Sequence, residues 1–177
     1  PLQGGISLSL ERMMKIVELD VNNMMVWAEA GVRTIDLYNA CAAKGLFYPP
    51  DPASWKFSTI GGNVAENAGG MRAVKYGVTS NYVMGLEVVL SDGTVLQTGG
   101  KAIKNVTGYN LTSLFTGSEG TLGIITKVLL RVIPMPKKRG TLQLMFRTLD
   151  DGCTAVHRML QSGLVPAAAE VMDRFCL

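Results

Sequence analysis

Metal, disulfide and membrane chemistry find little support in this sequence. Its 177 residues include three cysteines and one histidine. Cys41, Cys153 and Cys176 form no Cys-x-x-Cys pair and leave an odd thiol, so no disulfide framework, zinc site or iron–sulfur ligation is readable and no metal site is expected. His157 reads as a surface residue with no catalytic role. Charge is sparse as well: 18% of residues are charged, and 17 basic against 14 acidic side chains give a net charge of +3. The basic residues are scattered except for Lys137-Lys138-Arg139, a run that reads as a solvated linker, so a nucleic-acid role is not expected. No apolar run approaches the roughly 18 residues of a membrane span. The expected setting is reducing and cytoplasmic, peripheral to a membrane only through a partner. In that setting Asn105-Val106-Thr107 and Asn110-Leu111-Thr112 are accidental sequons. What the chain has instead is apolar bulk, 47% of residues, and 20 glycines. The apolar fraction excludes disorder and suffices for a sizeable core.

The glycines concentrate in Thr59-Ile60-Gly61-Gly62-Asn63-Val64-Ala65-Glu66-Asn67-Ala68-Gly69-Gly70, where two Gly pairs bracket small and amide residues. Backbone there is free to take positive φ and to approach a ligand with no Cβ in the way. Thr59 is placed to cap a brief helix, with the N–H groups of Gly61, Gly62 and Asn63 at its positive end, facing an oxygen-rich ring edge or an anion. A tight loop between two core elements is the competing reading. Just upstream, Pro49-Pro50-Asp51-Pro52 fixes a stiff extended segment that suits one wall of a pocket. Asp51 reads first as an exposed turn residue and second as a polar group aimed into a site.

The remaining pattern is that of an α+β chain. Ile6 to Leu10 alternates with period two and Met24 to Ala30 is a second strand, an expected antiparallel pair around the polar turn Asp20-Val21-Asn22-Asn23. Thr34 is expected to cap an amphipathic helix ending at Lys44-Gly45, with Cys41 on its core face. Val83 to Leu90 and Thr94 to Leu96 flank Asp92-Gly93, the strongest hairpin signal in the chain. Lys101 to Tyr109 is a loop and Asn110 starts a short helix. A second glycine-rich turn, Gly117-Ser118-Glu119-Gly120-Thr121-Leu122-Gly123, precedes a long strand from Ile124 to Ile133. Glu119 suits either a ribose hydroxyl or closure of its own turn. Beyond Pro134 the character changes: Thr141 to Arg147 reads as a strand and Asp150 as the cap of a helix carrying Ala155, Val156, Met159 and Leu160 on one face. Two domains are therefore expected, 1–135 and 141–177, with a boundary near 134–140.

Six blocks in order, Pro50-Asp51-Pro52, Thr59 to Gly70, Lys75-Tyr76-Gly77, Gly85-Leu86-Glu87-Val88-Val89-Leu90, Val106-Thr107-Gly108-Tyr109 and Gly117 to Thr126, resemble the FAD-linked oxidases of the vanillyl-alcohol oxidase and p-cresol methylhydroxylase superfamily. Within it they are most similar to the glycolate oxidase flavin subunit and D-lactate dehydrogenase. The resemblance implies a p-cresol methylhydroxylase-type FAD-binding domain, an antiparallel sheet flanked by helices, followed at Glu170-Val171-Met172-Asp173-Arg174 by the entry to a second α+β cap domain. It implies FAD as cofactor, with Pro50, Asp51 and the Gly61 to Gly70 segment along the isoalloxazine, and Gly120, Gly123, Ile124 and Ile125 offering backbone toward the adenine and ribose. The implied cofactor-binding set is completed by Thr59, Gly62, Asn63, Asn67, Gly69, Gly70, Gly77 and Glu119.

The same resemblance places a pyrophosphate loop upstream of Pro1, and the metal-binding and carboxylate-gripping side chains of the cap beyond Leu177. The chain is therefore expected to be a fragment that binds FAD weakly or not at all, and no catalytic base is nominated. The implied reaction is hydride transfer from a 2-hydroxy acid of the glycolate or D-lactate class to FAD, with electrons passing to a quinone or an iron–sulfur partner subunit. The alternatives are an FAD-dependent alcohol or sugar oxidase on the same scaffold, and a non-catalytic interaction module.

Overall fold

The computed structural model describes residues 4–173. Seven strands and five helices follow one another as β1 Ile16–Asp20, β2 Met25–Glu29, α1 Thr34–Ala42, β3 Leu46–Phe47, α2 Ile60–Ala65, α3 Ala73–Tyr76, β4 Val83–Val89, β5 Val95–Gly99, α4 Leu111–Phe115, β6 Ile124–Arg131, β7 Ile133–Pro134 and α5 Leu149–Gln161. Five strands form one sheet in the order β1-β2-β6-β4-β5, and β3 pairs with β7 in a separate two-stranded ladder. Every pairing is antiparallel. β6 is central because its β-branched and leucine run tolerates burial on both faces: Val128, Leu129 and Leu130 are fully buried.

Alternation decides which face carries the core. Val26 and Ala28 of β2, Val128 and Leu130 of β6, and Leu86 and Val88 of β4 share it with Leu37 and Cys41 of α1 and Ile60 and Val64 of α2. Burying a residue of this size contributes about 1.5–3 kcal/mol. Burial also pushes the Cys41 thiol up to about 12, which makes it an inert packing group, as its spacing implies.

Four expected features are corrected. Ile6 to Leu10 is not a strand, and Ile6 is 93% exposed. Its place beside β2 is taken by β1, whose turn is closed by Asp20 accepting from the Asn23 backbone at 3.0 Å and side chain at 2.8 Å. Thr34 does not cap α1: Arg33 occupies the cap position and pairs with Asp36 at 2.8 Å, while the Thr34 hydroxyl turns toward Ser58. Thr148, not Asp150, caps α5, its Oγ1 accepting the Asp151 N–H at 3.1 Å. Thr141 to Arg147 has strand patterning but no ladder partner among the described residues, and without one the backbone gains nothing from pairing. The Asp92-Gly93 hairpin forms between β4 and β5 as expected, with Gly93 at φ 85. His157 lies exposed on α5.

Candidate functional site

A helix start leaves N–H groups without intrahelical partners, and in α2 those of Ile60, Gly61 and Gly62 are taken by other protein atoms, while Asn63 makes the ordinary helical bond. Ile60 donates to Val32 O and Gly61 to Ala30 O, both at 2.8 Å, while Asn63 donates to Thr59 O at 2.9 Å. Gly62 donates to Thr59 Oγ1 at 3.2 Å, the cap that the sequence implies. The expectation that Gly61, Gly62 and Asn63 present N–H groups to an anion is thereby corrected: carbonyls just past β2 occupy the positive end. Asn63 also faces inward, its Nδ2 donating at 2.7 Å to Thr34 Oγ1, which lies 2.9 Å from Ser58 Oγ.

The two Gly pairs are not at positive φ either. In the two glycine-rich stretches the left-handed non-glycine positions are Asn67 at φ 50 and Glu119 at φ 52. Glycine is required here for close approach. A Cβ on Gly61 would stand 2.6 Å from Ala30 Cβ, one on Gly69 2.7 Å from Val78 Cγ1, and one on Gly70 only 1.8 Å from Asp51 O.

What remains open on α2 is its outer face. Val64 O accepts the Gly117 N–H and Ala65 O the Glu119 N–H, both at 2.9 Å, so the second glycine-rich turn caps the helix C-terminus. Between them lies a groove of about 470 Å³ lined by Gly62, Ala65, Glu66 and Glu119. Positions 62, 65 and 66 fall at i, i+3 and i+4 on one helix face. Small residues keep this groove wide, and two carboxylates supply only hydrogen-bond acceptors.

Asp51 is buried, 8% exposed, which corrects its first reading as a surface turn. Its Oδ1 accepts the Arg72 backbone N–H at 3.0 Å and its Oδ2 lies 3.2 Å from Arg72 Nε. Tyr38 OH donates to Pro50 O, so the proline segment is held from both α1 and the 70–72 turn.

The other nominated residues have structural roles in view. Asn67 Oδ1 accepts the Ser80 N–H at 2.8 Å. Gly77, at φ 77, ends α3 against Asn81. Gly120 is open at φ 75, whereas a Cβ on Gly123 would meet Val88 Cγ1 at 2.7 Å. Ile124 is 41% exposed and Ile125 is in the core. The structure thus gathers Gly62 with Glu119, and Pro50 and Asp51 with Gly70. Sequence reasoning gave Arg72 and Tyr38 no site role, and took Ala65 and Glu66 only as part of the Gly61 to Gly70 segment. No group of three or more metal-ligating side chains occurs among the described residues, and none of their helices is long and apolar enough to cross a membrane.

Comparison with known proteins bears on this arrangement. A family profile described as an FAD binding domain matches residues 1–99. The chain is 47% identical over 174 residues to the glycolate oxidase subunit GlcD of Bacillus subtilis, covering 98% of this chain and 37% of that one. It is 46% identical over 171 residues to a D-lactate dehydrogenase of Anaerostipes hadrus, covering 97% and 36%. The chain therefore spans little more than a third of these relatives. Among solved structures, an alkyldihydroxyacetonephosphate synthase superposes with a TM-score of 0.75 at 27% identity, covering 89% of this chain and 28% of that one. The antiparallel sheet with flanking helices is the p-cresol methylhydroxylase-type fold that the six blocks imply. The chain belongs to the FAD binding domain family, and its cofactor is FAD.

Proposed function

We propose that this chain seats the flavin in an oxidoreductase that oxidises a small 2-hydroxy acid of the glycolate or D-lactate class. The observation that carries the reading is the union of two glycine-rich stretches, far apart in sequence, through the Gly117 to Val64 and Glu119 to Ala65 hydrogen bonds. The similarity to a glycolate oxidase subunit and to a D-lactate dehydrogenase supports the substrate class.

Within this reading Gly62 and Ala65 admit the cofactor, and Glu66 and Glu119 accept from its ribose hydroxyls. No basic side chain lines the groove, so it suits the hydroxyl-bearing part of FAD and not the pyrophosphate. Pro50 and Asp51 form the stiff wall beside the isoalloxazine, and Ile125 anchors the start of β6 in the core. Bound FAD supplies the acceptor for the hydride that leaves the carbinol carbon of the hydroxy acid. A quinone or an iron–sulfur partner subunit would be the class of electron acceptor.

The test is anaerobic reduction of the flavin in the intact gene product by glycolate, D-lactate, D-2-hydroxyglutarate and a neutral primary alcohol. Bleaching of the visible flavin band by at least one hydroxy acid and not by the alcohol is expected. Bleaching by the alcohol alone overturns the substrate class in favour of an alcohol or sugar oxidase.

A further inference from the structure

Arg72 makes more contacts to the 47–51 segment than a surface side chain requires. Its backbone N–H donates to Asp51 Oδ1 at 3.0 Å, its Nε lies 3.2 Å from Asp51 Oδ2, and its Nη1 donates to Pro49 O at 3.4 Å. The guanidinium carbon sits 5.0 Å from the centre of the Phe47 ring, within cation–π range. The Asp51 side chain is only 7% exposed and Arg72 27%, so the pair meets largely out of solvent. The backbones are pressed together at the same point, where a Cβ on Gly70 would overlap Asp51 O. One side chain thus reaches a carboxylate, a proline carbonyl and an aromatic face, a task that suits a planar fork and not a point charge.

We propose that Arg72 is a positioning residue for the flavin ring: it fixes the Pro49–Pro52 wall against the 69–72 turn, and so sets the seat of the isoalloxazine without touching the adenosine half of FAD. This rests on the reading that Pro50 and Asp51 line the ring. It assigns Arg72 a ligand-selective effect: loss of the fork weakens binding of the ring and spares binding of the nucleotide.

The experiment is calorimetric titration of the intact, flavin-stripped protein with FAD and with ADP-ribose, which lacks the ring, for wild type, Arg72→Gln and Arg72→Lys. Arg72→Gln is expected to weaken FAD about tenfold, a change of about 1.4 kcal/mol, to leave ADP-ribose within twofold, and to shift the visible band of bound flavin. Adding Asp51→Asn to Arg72→Gln is expected to cost little more, because both act through one contact. Equal losses for FAD and ADP-ribose mark a merely structural role and overturn the proposal, as does unchanged FAD affinity. Should Arg72→Gln not fold, Arg72→Lys keeps a cation beside Asp51 but not the fork: weaker FAD with unchanged ADP-ribose supports the proposal, and full FAD affinity overturns it. Wild type that binds ADP-ribose but not FAD, or neither, sinks the flavin-seat reading itself, a result distinct from any of these.

Discussion

At the scale of single residues, glycines that look alike in sequence separate into two kinds. Gly62 is exposed on the groove, and a Cβ there meets nothing nearer than Thr59 Oγ1 at 3.2 Å, whereas a Cβ on Gly70 lands 1.8 Å from a backbone carbonyl. Gly62→Val is therefore expected to weaken FAD binding with only a small change in melting temperature. Gly70→Ala is expected to destabilise by about 1–3 kcal/mol or more, because neither backbone yields easily. Thermal melts and FAD titrations of the two variants separate these outcomes, and a groove that tolerates valine at position 62 contradicts the site. Asn63 belongs to the structural class despite its place in the glycine-rich stretch. Asn63→Ala removes a buried hydrogen bond to Thr34 and is expected to cost about 1–3 kcal/mol by denaturant titration. Glycine spacing flags such a stretch, but which member meets protein and which meets solvent depends on Ala30, Asp51 and Val78, 9 to 31 positions from the glycines they meet.

Elements were legible wherever local chemistry decided them. The Asp92-Gly93 hairpin, the Thr59 cap, the Asn110 start of α4 and the amphipathic α1 all follow from short-range signals. Thr59→Ala is expected to cost about 1 kcal/mol, read as a lower unfolding midpoint. Strands were harder, since a strand exists only with a partner. Ile6 to Leu10 and Thr141 to Arg147 alternate as well as β1 does, yet neither finds a ladder among the described residues. The helix α2 shows the opposite case: two glycines at its start cost about 1 kcal/mol each in propensity, and the helix forms because its first turn is bonded to the carbonyls of Ala30, Val32 and Thr59. The C-terminal cap of α2 by the 117–119 turn, which creates the groove, spans some fifty residues and has no local signature.

Across the whole molecule, the sheet brings its two edges within reach of one lysine. Lys101, two residues past β5, lies 2.7 Å from both Glu18 and Asp20 of β1 at the opposite edge. Its hydrogen bond, followed by those from the Asn23 side chain and backbone, holds the Asp20 carboxyl at about 2 against an ordinary 3.8. A depressed carboxylate stabilises the folded state fully above its unfolded value, and that contribution is lost as pH falls from 3.8 toward about 2. Lys101→Met is therefore expected to melt below wild type at neutral pH, with the difference narrowing through that acid window. The gap is also expected to shrink at high salt, since the bridging groups are partly exposed. A melting gap that is constant with pH contradicts the bridge.

The union of α2 with the 117–123 turn into one FAD groove is tested most directly by hydrogen exchange of the intact protein with and without FAD. The expected result is slowed exchange in 60–70 and 117–123 together, with 149–161 unchanged. Protection of one of these two stretches without the other, or of neither while FAD is demonstrably bound, contradicts the account.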